Sequence, residues 1–244
     1  MRLTRVHVAE PLAPAAEVAL PEAAAVHVAR VLRLRPGAIL VLFDGSGADF
    51  RGEVAAIAGD RVRVRILERV AGLPESRLDV TLVQGVSRGE RMDWTLQKAT
   101  ELGVRRIQPV LSARSVVRLD DRQAERRLRH WQAVIASACE QCGRSVLPSV
   151  ASPLDFTRWL GGPRGDARRL LLSPDGAEPL AALAGDLERV ELLIGPEGGL
   201  DAGEVAAAER AGFEPVRLGP RVLRTETAGV AALAVLQALA GDLR

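Results

Sequence analysis

Apolar and polar residues alternate through most of the first seventy positions. Leu3-Thr4-Arg5-Val6-His7-Val8 sets apolar residues two apart, and Ala38 to Phe43 is a compact apolar run. The turn cluster Asp44-Gly45-Ser46-Gly47 follows, then Asp49 to Ile57 and Arg61 to Val70 with strand-like spacing. A period of two sorts side chains onto opposite faces of a sheet, so a small β domain is predicted. One helix, Glu22 to Arg33, interrupts it.

Ala71-Gly72-Leu73-Pro74-Glu75-Ser76 reads as a linker, and the pattern changes beyond it. Leu78 to Val86 is a predicted strand, and Asp93 caps a helix that runs to Leu102 and stops at Gly103. Val104 to Leu111 is a strand, Asp120 to Cys142 a long Arg-rich helix, and Arg168 to Leu172 a further strand. Strands alternating with helices argue a parallel α/β sheet with crossover connections. The expected domains are 1–72 and 73–244.

Two strand-to-helix junctions near the end of the chain carry the candidate chemistry. Val190 to Ile194 runs into Gly195-Pro196-Glu197-Gly198-Gly199 and then Asp201-Ala202-Gly203-Glu204, a helix start. Phe213 to Leu218 runs into Gly219-Pro220-Arg221-Val222-Leu223-Arg224, and the helix Thr225 to Ala240 follows. Glycine lets a ligand approach the main chain, and a helix start leaves N–H groups unpaired, so paired loops of this kind suit a cofactor site. No G-x-G-x-x-G and no lysine after the glycines is present, which disfavours dinucleotides and nucleoside triphosphates.

Composition narrows the classes. With 244 residues, 48% of them hydrophobic, the chain buries a real core. The apolar stretch Ala228 to Ala240 is broken by Gln237 and too short for a bilayer, so no membrane partner is expected. Met1-Arg2-Leu3-Thr4-Arg5 leads into a strand, not the apolar core of a signal peptide, so a cytoplasmic protein is expected. Cys139 and Cys142 form one C-x-x-C inside a helix, and His7, His27 and His130 are scattered, so a metal site is not expected and two reduced thiols are. Of 33 basic residues only Lys98 is a lysine. Residues 1–144 hold 23 basic and 17 acidic residues, and residues 145–244 hold 10 and 14, so the first part can face a polyanion. The arginines of Arg61-Val62-Arg63-Val64-Arg65-Ile66 share one solvent face, either as an ordinary strand or as a basic edge for such a partner.

Taken together, Leu193 to Gly199 and Leu218 to Ala228 resemble the paired signature of the RsmE-type ribosomal RNA uridine-N3 methyltransferases, of the SPOUT class. Lys98 to Val104, Arg114-Ser115, Glu140 to Arg144, Arg30 to Leu34 and Phe43-Asp44-Gly45 fit the same pattern in order. The resemblance implies an N-terminal PUA-like β-barrel, an α/β domain with a mostly parallel sheet and a trefoil knot, S-adenosylmethionine as methyl donor, and a homodimer. It implies as substrate a decoding-region uridine of 16S ribosomal RNA, met within the small ribosomal subunit.

On that reading Leu172, Ile194, Leu218 and Leu223 supply apolar walls, and Gly195, Gly198, Gly199 and Gly219 expose backbone. Pro196, Thr225 and Ala228 complete the expected cofactor contacts. Uracil N3–H is a weak acid, so the reaction needs a proton acceptor or a cation beside the flanking carbonyls. Glu197 and Glu226 are the nearest carboxylates and Arg224 and Arg144 the candidate cations, with Arg224 ranked first because a carboxylate at a helix start is more often a cap. Methyl transfer from a sulfonium has its own leaving group and needs no metal. Arg2, Arg5, Arg30, Arg33, Arg88 and Arg114 are candidates for RNA phosphates, with Lys98 behind them. The helix Thr225 to Ala240 has hardly a polar face, which suits a core or a subunit contact. Methylation at another RNA position or at a ribose 2′-hydroxyl, and a non-catalytic RNA-binding dimer, are the alternatives.

Overall fold

The computed structural model describes residues 3–183 and 187–243. Two compact units divide the chain: Met1–Glu75 with Ala136–Leu147, and Ser76–Ile135 with Pro148–Arg244. The alternation of the early residues gives no sign that a segment from the middle of the chain belongs with them.

In the first unit β1 (Arg5–His7), β2 (Glu17–Ala19), β3 (Ile39–Phe43), β4 (Ala48–Ala58) and β5 (Arg61–Ala71) form one sheet in the order β1-β3-β4-β5-β2. Every pair is antiparallel except β1 with β3. The ladder of β4 and β5 is irregular at Arg51/Gly52 and Val54/Ala56. Gly52 has a cause for being glycine, since a Cβ there would lie 2.5 Å from Val64 Cγ1. Such irregularities bend a sheet, and its inner face closes over a single core including Val6, Leu40, Leu42, Phe50, Val54 and Val64. The predicted helix is shorter than expected. It is α1 (Glu22–Val26) followed by a π-helical turn, His27–Val31, and Arg33 at φ 51° ends it as a glycine would.

The second unit is α/β. Its strands are β6 (Asp79–Gly85), β7 (Arg106–Leu111), β8 (Ser149–Val150), β9 (Leu154–Asp155), β10 (Arg168–Leu172), β11 (Glu178–Pro179), β12 (Arg189–Ile194) and β13 (Glu214–Arg217). All pair in parallel, in the order β11-β13-β10-β12-β6-β7-β8 with β9 also beside β7. Helices α2 (Glu90–Glu101), α3 (Asp121–Cys142), α4 (Phe156–Leu160), α5 (Ala202–Arg210) and α6 (Thr225–Ala240) connect and cover it. Helix α2 starts three residues before the expected cap: Gly89, at φ 63°, precedes it, and the Asp93 carboxylate instead meets His130 Nε2 at 2.7 Å.

Helix α6 packs on α2 and β12, burying Ala232, Leu233 and Leu236. Gln237, which breaks its apolar run, is fully buried and satisfied. Its Oε1 accepts from Ser76 Oγ at 2.7 Å and its Nε2 donates to the Leu102 carbonyl at 2.9 Å. No described helix is long and apolar enough to cross a membrane.

Candidate active site

The strand order decides where the site lies. Strands β13, β10 and β12 are neighbours, and the loops leaving their C-terminal ends line one cavity of about 510 Å³. Open parallel sheets bind ligands in this crevice, where the loops of non-consecutive strands converge. The two expected loops are therefore not adjacent in the sheet. Strand β10 lies between their strands and contributes a third loop, Ser173-Pro174-Asp175, which the sequence reading used only as far as Leu172.

All eleven residues expected at a cofactor line this cavity. Leu172, Ile194, Leu218, Leu223 and Ala228 give apolar surface, while Gly195, Pro196, Gly198, Gly199, Gly219 and Thr225 bring main chain and one hydroxyl to it. Gly199 and Gly219 have φ of 68° and 69°, and a Cβ on either would meet nothing within 4 Å. Both thus hold left-handed turns beside open space, where a side chain would be strained.

A set of hydrogen bonds and one close backbone crossing hold the loops in register. The Thr225 hydroxyl donates to the Gly195 carbonyl at 2.6 Å and accepts from Gln84 Nε2 at 3.0 Å, tying the start of α6 to the loop after β12. Gly85 lets that loop cross the end of β6, for a Cβ there would lie 2.3 Å from the Pro196 nitrogen. Behind the glycines, Asp201 and Glu204 form a reciprocal cap on α5, and Glu204 Oε1 also accepts from the Ala113 N–H at 2.7 Å. Gly85 and Gln84 sit in an ordinary apolar strand, so no local pattern singles them out.

Charge at the cavity centres on Arg91, a residue missed in the sequence because α2 was expected to begin beyond it. Its Nη1 donates to Glu197 Oε1 at 3.2 Å, and its Nε lies 3.9 Å from Glu226 Oε1. Burial pushes the Glu197 pKa up, but hydrogen bonds from the Arg88 N–H, its own backbone N–H and Arg91 outweigh this, and the net shift is downward. Glu197 is held ionised and is a weak base. Glu226 differs, since its Oε2 is buried with no hydrogen-bond partner among the described residues. Arg224 lines the cavity from its exposed position at the N-cap of α6, beside Arg221 and Val222, the latter 79% exposed.

Other expected residues lie elsewhere. Arg144, expected as a candidate cation, belongs to the first unit, its guanidinium is buried, and its Nε donates to Glu75 Oε1 at 3.0 Å. Arg5, expected at RNA phosphates, is 8% exposed and bound through Nη2 to Asp49 Oδ1 at 3.0 Å. Pulling either cation away would leave a buried carboxylate alone, so each pair helps hold the first unit together. Arg30 is exposed but paired with Asp60 at 2.5 Å, and Lys98 is paired with Glu101 at 2.8 Å. Arg33 and Arg88 are exposed, and exposed Arg114 lies against the glycine loop with Nη1 3.3 Å from the Gly198 carbonyl. Arg2 lies outside the described residues. Arg63 and Arg65 flank Glu17 at 3.7 and 3.9 Å, which partly neutralises the basic strand face. Both cysteines are free thiols, Cys139 buried and Cys142 half-buried. Among the described residues no group of three His, Cys, Asp or Glu side chains could hold a metal ion.

A parallel sheet with a glycine-lined cavity over three strand ends is the frame of a protein that binds a small molecule in the crevice outside its strands. The RNA methyltransferase domain family matches residues 74–237, and the RNA methyltransferase PUA domain family matches residues 20–67. A Mycobacterium bovis protein named ribosomal RNA small subunit methyltransferase E is 37% identical over 221 residues, 87% of this chain and 83% of that protein. A Neisseria gonorrhoeae protein of the same name, solved bound to S-adenosyl methionine, superposes over 100% of both chains with a TM-score of 0.90 and 38% identity. A Legionella pneumophila protein solved with the cofactor SAM superposes over 100% of both chains with a TM-score of 0.94 and 36% identity. The chain belongs to the small-subunit ribosomal RNA methyltransferase E family, with a PUA domain and an α/β RNA methyltransferase domain.

Proposed function

We propose that the protein methylates N3 of a decoding-region uridine in 16S ribosomal RNA of the small ribosomal subunit, with S-adenosylmethionine as donor. The observation that carries this reading is the glycine-lined cavity over β10, β12 and β13, in a chain of this family. Its volume suits a cofactor, its apolar walls suit an adenine face, and its glycines let main-chain groups reach the polar edges. When bound, the donor supplies an electrophilic methyl group on a sulfonium sulfur.

The chain's residues handle the proton and the charge. Uracil N3–H must lose its proton, and the charge then spreads onto the flanking carbonyl oxygens. Glu226, which lines the cavity with its Oε1 3.9 Å from Arg91 Nε, accepts that proton, and Arg224 at the rim donates hydrogen bonds to the oxygens. Glu197 serves as the anchor of Arg91 and not as the base. Arg33, Arg88 and Arg114, all exposed, bind phosphate, with Arg30 and Lys98 able to exchange a surface carboxylate for one.

A trefoil knot and a homodimer go with this reading. Supporting the dimer, Thr227, Val230, Ala231, Ala234, Val235, Ala238 and Leu239 of α6 are exposed or half-buried and form one helical stripe without a charge. Nucleoside mass mapping of small-subunit RNA after incubation with protein and donor tests the target, and a ribose methyl in place of 3-methyluridine would overturn it. Arg224→Ala should lower kcat by roughly a hundredfold with donor Kd unchanged; an unaltered rate removes Arg224 from the chemistry.

A further inference from the structure

A second concavity of about 690 Å³ lies between α3 and the segment 116–119 of the same unit, and no carboxylate lines it. Arg88, Arg118, Arg126, Arg127 and His130 face it, with Gln123. The helix spacing explains the cluster: positions 123, 126, 127 and 130 follow the i, i+3, i+4, i+7 rule and share one face of α3. Many arginines of this chain are neutralised, as Arg106 is by Asp79 and Arg164 by Glu191. Arg88, Arg118, Arg126 and Arg127 have no ion pair among the described residues, while the His130 ring is held by Asp93.

Four unneutralised guanidinium groups around one groove repel each other unless an anion joins them. The groove is also continuous with the active site. Arg88 lines both it and a shallow depression with Glu90, Arg91, Val116 and Glu197, and Arg91 and Glu197 line the cofactor cavity in turn. From Gln123 to His130 the helix rises about 10 Å, the axial length of about three phosphates on one strand.

We infer that this groove binds the phosphate backbone of the substrate RNA a few nucleotides from the target base and sets the direction in which the strand enters the cavity. The RNA identity of the occupant rests on the proposed function; the polyanion chemistry does not. Guanidinium forks suit phosphate oxygens, and exposed Val116, 63% accessible, offers apolar surface to a sugar or base at the mouth.

The test is the full chain carrying Arg118→Ala, Arg126→Ala and Arg127→Ala, titrated with naked small-subunit ribosomal RNA over a salt series. A variant with Arg158→Ala, Arg189→Ala and Arg210→Ala, exposed arginines of the same unit outside the groove, loses equal charge. The groove variant should bind RNA roughly tenfold or more weakly, with the slope of log K on log salt shallower by about 2, and the control should change little. Equal losses in both variants, or none in the groove variant, would overturn the inference. Calorimetry with S-adenosylmethionine on the groove variant should give the wild-type Kd. Failure of the wild type to bind the donor, with the groove-dependent salt slope intact, would instead sink the proposed function and leave the groove standing. Should the triple variant melt early, Arg118→Glu, a single change outside α3, takes its place with the same readouts.

Discussion

Replacing Thr225 by valine tests whether one hydroxyl holds the two halves of the cavity together. Valine keeps the β-branched shape of threonine at this buried position, so the hydroxyl is what changes. What is lost is the hydrogen bond to the Gly195 carbonyl and the acceptor for Gln84 Nε2. Gln84 Nε2 retains the Gly85 carbonyl at 3.1 Å, whereas the Gly195 carbonyl loses its partner from α6. Losing this part-buried hydrogen bond costs about 0.5–1.5 kcal/mol, which lowers the melting midpoint by roughly 2–4 °C per kcal/mol at this size. Freed of that tie, the loop after β12 samples positions that do not bind, so donor affinity should fall up to about tenfold, the equivalent of 1.4 kcal/mol. Differential scanning calorimetry and donor titration read both effects, and Thr225→Ser, which restores the hydroxyl, should recover most of each. A valine variant with wild-type melting and wild-type affinity would refute the claim that this bond registers the loops.

Three further outcomes follow from the geometry. Gly85→Ala puts a methyl against the Pro196 backbone, so it should destabilise by about 1–3 kcal/mol and abolish measurable donor binding, as calorimetry would show. The Glu197 pKa is lowered in the folded protein, so its contribution is complete above the unfolded value of about 4.3 and is lost as pH falls through the folded value. The melting difference between wild type and Glu197→Gln should therefore shrink steadily on acidification below that pH; a constant difference would show that the ionised carboxylate, held by the Arg88 N–H and Arg91, is not its source. Hydrogen bonding with Cys142 and burial push the Cys139 thiol up, so it stays protonated at neutral pH. Alkylation followed by peptide mass analysis should modify Cys142 well before Cys139.

Much of the site was legible because its parts are local. The glycines after β12 and β13 mark left-handed turns, and the capping residues Asp201 and Glu204 mark a helix start three residues apart. Arg91 escaped because Gly89, through its own positive φ, starts α2 earlier than the Asp93 signal suggests. The ion pairs of Arg5 and Arg144 escaped for a different reason. A charge count cannot tell an arginine that faces solvent from one whose carboxylate partner, Asp49 or Glu75, lies 44 or 69 positions away.

The sequence by itself determined the main element types and the two loop motifs, because periodicity, turn chemistry and caps act over a few residues, and the family followed from the resemblance those motifs carry. Only the tertiary structure decided that β10 lies between β12 and β13 and brings a third loop to the cavity. It also decided that Gly85 and Gln84 support the Gly195 loop and that Thr225 ties that loop to α6. The physical reason is that strand order, close backbone crossings and ion pairing are contacts between positions tens to more than a hundred residues apart, and no short-range pattern encodes such a partner.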